Sequence, residues 1–156
     1  MKAKRLGFLY PPIKAALRIV DDLSWKLAEI VGVSRDWQVS FSAQGKAGET
    51  QSVAVDPQMR FRGRKLVITD ILPEAARPPC EAKRPMASQL MQLRIGRRNQ
   101  FPTTASGILS VVFASDAYGN GIRFDTCRLG EEMWFEIHFL RDCAVHGTLF
   151  GQGIML

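Results

Sequence analysis

Six consecutive residues, Arg60-Phe61-Arg62-Gly63-Arg64-Lys65, hold four cations and one aromatic ring. Cationic side chains neutralise phosphates and release their counterions, and an aromatic ring stacks on an unpaired base. A second cluster, Arg94, Arg97 and Arg98, runs into Asn99, Gln100 and Phe101. Arginine, amide and aromatic side chains contact nucleic acid, and the same types make the hot spots of protein interfaces. Lys2, Lys4 and Arg5 add a short basic arm. The predicted nucleic-acid contacts are therefore Arg60, Phe61, Arg62, Arg64, Lys65, Arg94, Arg97 and Arg98. The competing reading is a solvated turn whose arginines hold nearby carboxylates.

Arg62-Gly63-Arg64 resembles the AT-hook tripeptide, which lies in the minor groove of A·T-rich DNA. The resemblance covers three residues, and Lys65 stands where the hook carries proline. Such hooks sit in disordered tails, whereas this tripeptide directly precedes a predicted strand. Sequence-independent phosphate contact is the stronger expectation.

Other chemistry is thinly supplied. His138 and His146, with Asp142 between them, would stack on one face of a helix, and Cys127 would complete a zinc-like set with Cys143. The alternation from Trp134 to Leu140 favours a strand instead, and no paired-cysteine spacing occurs, so no metal site and no cofactor are expected. Cys143 with His146 or His138 as base is a candidate nucleophile, but Asp142, next in sequence, would point to the other side of a strand and is poorly placed to orient the pair, and Glu132 with Glu136 reads as exposed strand carboxylates. No phosphate loop, nucleophile elbow or dinucleotide fingerprint is present. No catalytic residue is assigned, and catalysis ranks third among the function classes.

The elements that must position these residues follow from length and pattern. A chain of 156 residues, 46% apolar and 23% charged, is ordinary for one globular domain. Its net charge of +6 is uneven. Residues 1–98 hold 18 Lys/Arg against 9 Asp/Glu, and residues 99–156 hold 3 against 6, giving +9 and −3. One basic face, or two surfaces with different partners, would account for that asymmetry. The odd cysteine count, Cys80, Cys127 and Cys143, suggests reduced thiols in a cytoplasmic setting, although one Cys127–Cys143 bridge stays open if their strands are neighbours. No run is long and apolar enough to span a membrane, and Leu6–Tyr10 is too short for a signal peptide.

Residues Ile13 to Val31 place apolar side chains at three-and-four spacing and predict an amphipathic helix packed on a sheet. Pro11 and Pro12 suit its start and Gly32 its stop. Strands are predicted at Trp37–Ser42, Gln51–Val55, Lys65–Ile71, Ile108–Ala114, Ile122–Cys127, Glu132–Leu140 and Val145–Phe150. Gln44–Gly48 and Ser115–Gly121 read as turns, Met86–Ile95 as a helix ending at Gly96, and Pro73–Pro85 as a long loop. The expected fold is α+β: a single domain built on one mostly antiparallel sheet of about seven short strands. The expected function is a small basic accessory protein contacting DNA or RNA. The alternative is an assembly subunit bound to other protein subunits, toward which the apolar tail Phe150–Leu156 tilts.

Overall fold

A computed structural model of the chain describes residues 11–73, 86–101, 107–114 and 124–154. The expectations for the basic arm at Lys2, Lys4 and Arg5, for the proline-rich stretch 74–85 with Cys80, for the turn Ser115–Gly121 and for the last two residues lie outside that set. The chain divides into two compact units, one ending at Arg35 and the other beginning at Asp36.

The first unit contains α1 (Pro11–Val31). It ends as the sequence anticipates. Gly32 takes φ 76° and donates to the Glu29 carbonyl at 3.2 Å, while Val33 donates to Ala28 at 3.0 Å. This doubly bonded stop requires a left-handed residue, which glycine adopts without a Cβ penalty. The expected burial of the apolar stripe is corrected: Leu17, Val20 and Leu27 are 58%, 63% and 61% exposed, whereas Trp25 and Ala28 are buried. Periodicity identifies the apolar face of a helix, not what covers it.

The second unit is built on strands. They are β1 (Ser34–Gly45, whose first two residues belong to the first unit), β2 (Thr50–Val55), β3 (Arg60–Ile71), β4 (Ser88–Ile95), β5 (Arg98–Asn99), β6 (Ile108–Leu109), β7 (Thr126–Cys127), β8 (Met133–Phe139) and β9 (Cys143–Ile154). The α+β class stands. The expected single sheet of seven strands is corrected to nine strands among the described residues, in two sheets. One has the order β1-β9-β3-β7, and the other β2-β8-β4-β5 with β6 also on β4.

Two further corrections have local causes. Met86–Ile95 is not a helix but contains β4, whose register against β8 shifts between Leu90 and Gln92. That irregularity lets Leu90 and Leu93 both face the core despite their odd spacing, which is why no strand period shows. Ile108–Ala114 is not a central strand. It is the two-residue β6 followed by a 3-10 turn at Ser110–Phe113, and the three-residue period of that turn buries both Ser110 and Phe113.

Buried side chains of both sheets form one apolar cluster. Phe41 on β1 stacks on Phe135 on β8, with ring centroids 4.0 Å apart and planes 24° apart. Gly147 on β9 makes room for that stack, since a Cβ there would collide with the Phe41 ring. Within the described part of the tail, Ile154 is buried and pairs with Arg60, whereas Phe150 is exposed.

A carboxylate ties the sheets at one end. Asp70 on β3 accepts from the backbone N–H groups of Ala87 and Ser88 at 2.9 and 3.1 Å, and from the Ser88 and Ser110 hydroxyls, each at 2.6 Å. Ser88 and Ser110 are buried. Replacing Asp70 by alanine strands these donors, and a buried donor left unmatched costs about 1–3 kcal/mol. Asp70→Ala is expected to lower unfolding stability by about 3 kcal/mol or more with an unchanged denaturant slope. A loss under about 1 kcal/mol in urea titration would contradict this role for Asp70.

Candidate nucleic-acid interface

The two cationic segments of the sequence meet at β7. Arg62 on β3 lies in register with Thr126, and its Nε donates to the Thr126 hydroxyl at 3.3 Å. Arg98 on β5 donates to the Thr126 carbonyl at 2.9 Å and to Glu131 Oε2 at 2.7 Å. Residues thirty-six positions apart in sequence thus converge on one threonine.

Their environments differ sharply. Phe61 is fully buried in the core and cannot stack on a base, which corrects that part of the expectation. Strand alternation forces this: with Arg60 and Arg62 facing outward, Phe61 faces in. The register of β3 against β9 shifts between Gly63 and Lys65, which leaves Arg64 exposed, with its guanidinium donating to Gln152 Oε1 at 2.6 Å. Gly63 packs against Leu149 where a Cβ would not fit. The Arg62-Gly63-Arg64 tripeptide is therefore the interior of a paired strand, not an extended hook. Arg60 and Lys65 are half-buried on the same strand.

The second cluster is more open. Gly96 and Arg97 form the two-residue tip between β4 and β5, closed by the Ile95–Arg98 pair, with Gly96 at φ 57°. Arg97 is consequently exposed at the tip of a hairpin. Arg94, exposed on β4, is paired with Trp134 on β8, and its Cζ lies 5.8 Å from the Trp134 ring centroid. That geometry is a cation–π contact. Beside the pair, Gln92 donates to Asn99 at 3.0 Å.

A cleft of ≈ 620 Å³ opens next to these residues. It is lined by Arg97 and Arg98 on the hairpin, Arg128 and Glu131 on the turn before β8, Trp134 on β8, and the carboxylates of Asp56 and Glu132. The turn is held by Glu131, which donates its N–H to the Arg128 carbonyl at 3.0 Å and accepts the Arg128 N–H on Oε2 at 2.9 Å. The same oxygen binds Arg98, so one carboxylate fixes both the hairpin and the turn. Arg128 and Trp134 are the site residues that sequence reasoning missed. The outward alternation of Trp134, Glu136 and His138 was a usable signal for Trp134. Arg128, an isolated cation in sequence, offered none. Phe101 turns away from the surface and packs near Phe113 and Phe124, with ring centroids 6.1 Å away in both cases.

The other sequence candidates do not converge. His138 lies on β8, where Nδ1 is 3.0 Å from the Thr50 hydroxyl, and His146 is exposed on β9 in the other sheet. Among the described residues no group of three His, Cys, Asp or Glu side chains is arranged to hold a metal. Cys127 and Cys143 are free, and β3 lies between their strands. Burial raises the Cys127 thiol to about 12, reinforced by Glu131 and opposed by Arg98. Burial raises Cys143 to about 11, reinforced by Asp70 and Asp142. The thiolate is the reactive form, so neither thiol is equipped as a nucleophile near neutral pH. Among the described residues no helix is long and apolar enough to cross a membrane.

In a Cys80→Ser variant at pH 8, iodoacetamide should leave Cys127 and Cys143 unmodified in the folded protein and label both in urea. Rapid alkylation of either in the folded state would contradict the raised thiol pKa values. No protein-family model, curated protein or solved structure matches this chain, and the geometry above is what its function must be argued from.

Proposed function

We propose that the chain is a non-enzymatic nucleic-acid-binding protein that engages phosphates through Arg94, Arg97 and Arg128 and offers Trp134 as a stacking surface. The supporting observation is the Arg94–Trp134 pair at 5.8 Å beside a cleft that Arg97, Arg98 and Arg128 line. A phosphate backbone is met by exposed cations, and any base can stack on an indole or guanidinium plane, so little sequence preference follows. Arg62, Arg64 and Arg98 hold protein groups and act mainly by shaping the surface. Asp56, Glu131 and Glu132 repel phosphates at close range, which keeps the affinity low and salt-sensitive. The free thiols of Cys127 and Cys143 are in keeping with a reducing, cytoplasmic setting, which belongs to the same proposal.

The second reading, an assembly subunit acting through protein contacts, is favoured by the exposed apolar residues of α1.

Fluorescence anisotropy of a labelled single-stranded oligonucleotide at several salt concentrations tests the first reading. Each phosphate contact contributes about −0.7 to the log–log salt slope, so Arg94→Ala with Arg97→Ala should flatten it by about 1.4. Both side chains are exposed, and the unfolding midpoint should hardly move. Arg62→Ala with Arg98→Ala should instead lower the midpoint, because Thr126 and Glu131 each lose their arginine donors. An unchanged slope in the first variant, or no binding of DNA or RNA at low salt, would overturn the proposal.

A further inference from the structure

The four-stranded sheet ends at β1, and among the described residues no further strand lies beyond it. Unpaired N–H and C=O groups at a sheet edge recruit another strand, and folded proteins blunt that tendency with short edge strands, prolines or charged side chains. The edges at β5 and β7 are two residues long. β1 has twelve residues, and from Trp37 to Gly45 it holds neither proline nor charge. It is a long edge left unblunted.

The sequence of β1 selects the occupant. Gln38-Val39-Ser40-Phe41-Ser42-Ala43-Gln44 reads almost alike in both directions about Phe41. In an antiparallel pair with a second β1 about that centre, Gln38 of each copy lies opposite Gln44 of the other, Val39 opposite Ala43, and Ser40 opposite Ser42. Directly opposite residues project to the same side of a sheet. Val39, Phe41 and Ala43 are buried, whereas Gln38, Ser40, Ser42 and Gln44 are exposed, so every pair joins like with like.

The flanking charges fit the same register. Asp36 of each copy falls opposite Lys46 of the other, the residue that follows β1. Both are exposed, and opposite charges across a strand pair attract. The hydrogen bonds and ion pairs of the described residues involve neither the Asp36 carboxylate nor the Lys46 ammonium. A shift of two residues in either direction sets Asp36 against Gln44 or Gly48 and loses the pair. β2, an edge of the other sheet, is flanked by acids at both ends, Glu49 and Asp56, and offers a second β2 no opposite charge. Gln51 on β2 reaches the β1 edge at one point, donating to the Gln44 carbonyl at 2.6 Å, and a carbonyl oxygen accepts a second bond. We propose that two copies of this chain join edge to edge through β1, antiparallel about a two-fold axis at Phe41, so that their four-stranded sheets become continuous. The residues concerned all belong to the second unit, and the proposal is independent of the nucleic-acid reading.

Sedimentation equilibrium of the full chain, without nucleic acid, should give twice the 17.4 kDa chain mass. A zero-length carbodiimide cross-link between Asp36 and Lys46, located by mass spectrometry, reads the register. Within one chain these residues flank the extended part of β1, about 33 Å apart at strand spacing, so this cross-link forms only between copies. Asp36→Lys or Lys46→Glu alone turns two attractive pairs repulsive and should weaken the dimer about tenfold, and the two changes together should restore it. The cross-link on the unaltered chain supports the proposal even if a charge variant fails to fold. A monomer at every concentration, or a dimer in which Asp36 and Lys46 do not cross-link and charge reversal has no effect, would overturn it.

Discussion

In the second unit the Asp70 carboxylate accepts four hydrogen bonds that join one sheet to the other. Two sheets held face to face by an apolar cluster can slide, because dispersion and burial are not directional. Asp70 removes that freedom at one end. Its donors come from the residue before β4, from the first residue of β4 and from the 3-10 turn after β6, so one side chain of the four-stranded sheet fixes the start of the five-stranded one. The Phe41–Phe135 stack then has a defined partner ring to close on, with Gly147 leaving the space it needs.

The cleft follows from that register. Once β4 is placed, the Gly96–Arg97 tip is carried to the edge of the sheet, and β8 brings Trp134 opposite Arg94. Glu131 plays at this end a part like that of Asp70 at the other. Its Oε2 holds the Arg98 guanidinium and the Arg128 amide together. The open cations are those not drawn into such clips by the hydrogen bonds described, Arg94 and Arg97 on β4 and its hairpin, with Arg128 on the turn. The cationic segments predicted to act together are therefore adjacent in space, but their arginines divide into side chains that build the surface and side chains that present it.

Much of this was legible in the residues and some was not. The helix ends, the strand at Trp37–Ser42 and the alternation of Glu132–Leu140 follow from local rules that depend on few neighbours. The irregularity in β4 was hidden because an extra residue breaks the period that identifies a strand. Ile108–Ala114 misled because its apolar content reflects a buried 3-10 turn anchored by Ser110 to a residue forty positions earlier. Phe61 counted as a stacking ring by composition, yet its position between two outward arginines already placed it inward. Arg128 joins the site only through tertiary contact.

The most direct measurement of the central claim is the fluorescence of Trp134 alone. A Trp25→Phe, Trp37→Phe variant leaves Trp134 as the single indole. If the cleft beside Arg94 receives a nucleic-acid strand, an unlabelled single-stranded oligonucleotide at low salt should quench this emission saturably, and added salt should restore it. Emission that stays constant while the oligonucleotide is shown to bind elsewhere, or emission unaffected because nothing binds, would contradict the account.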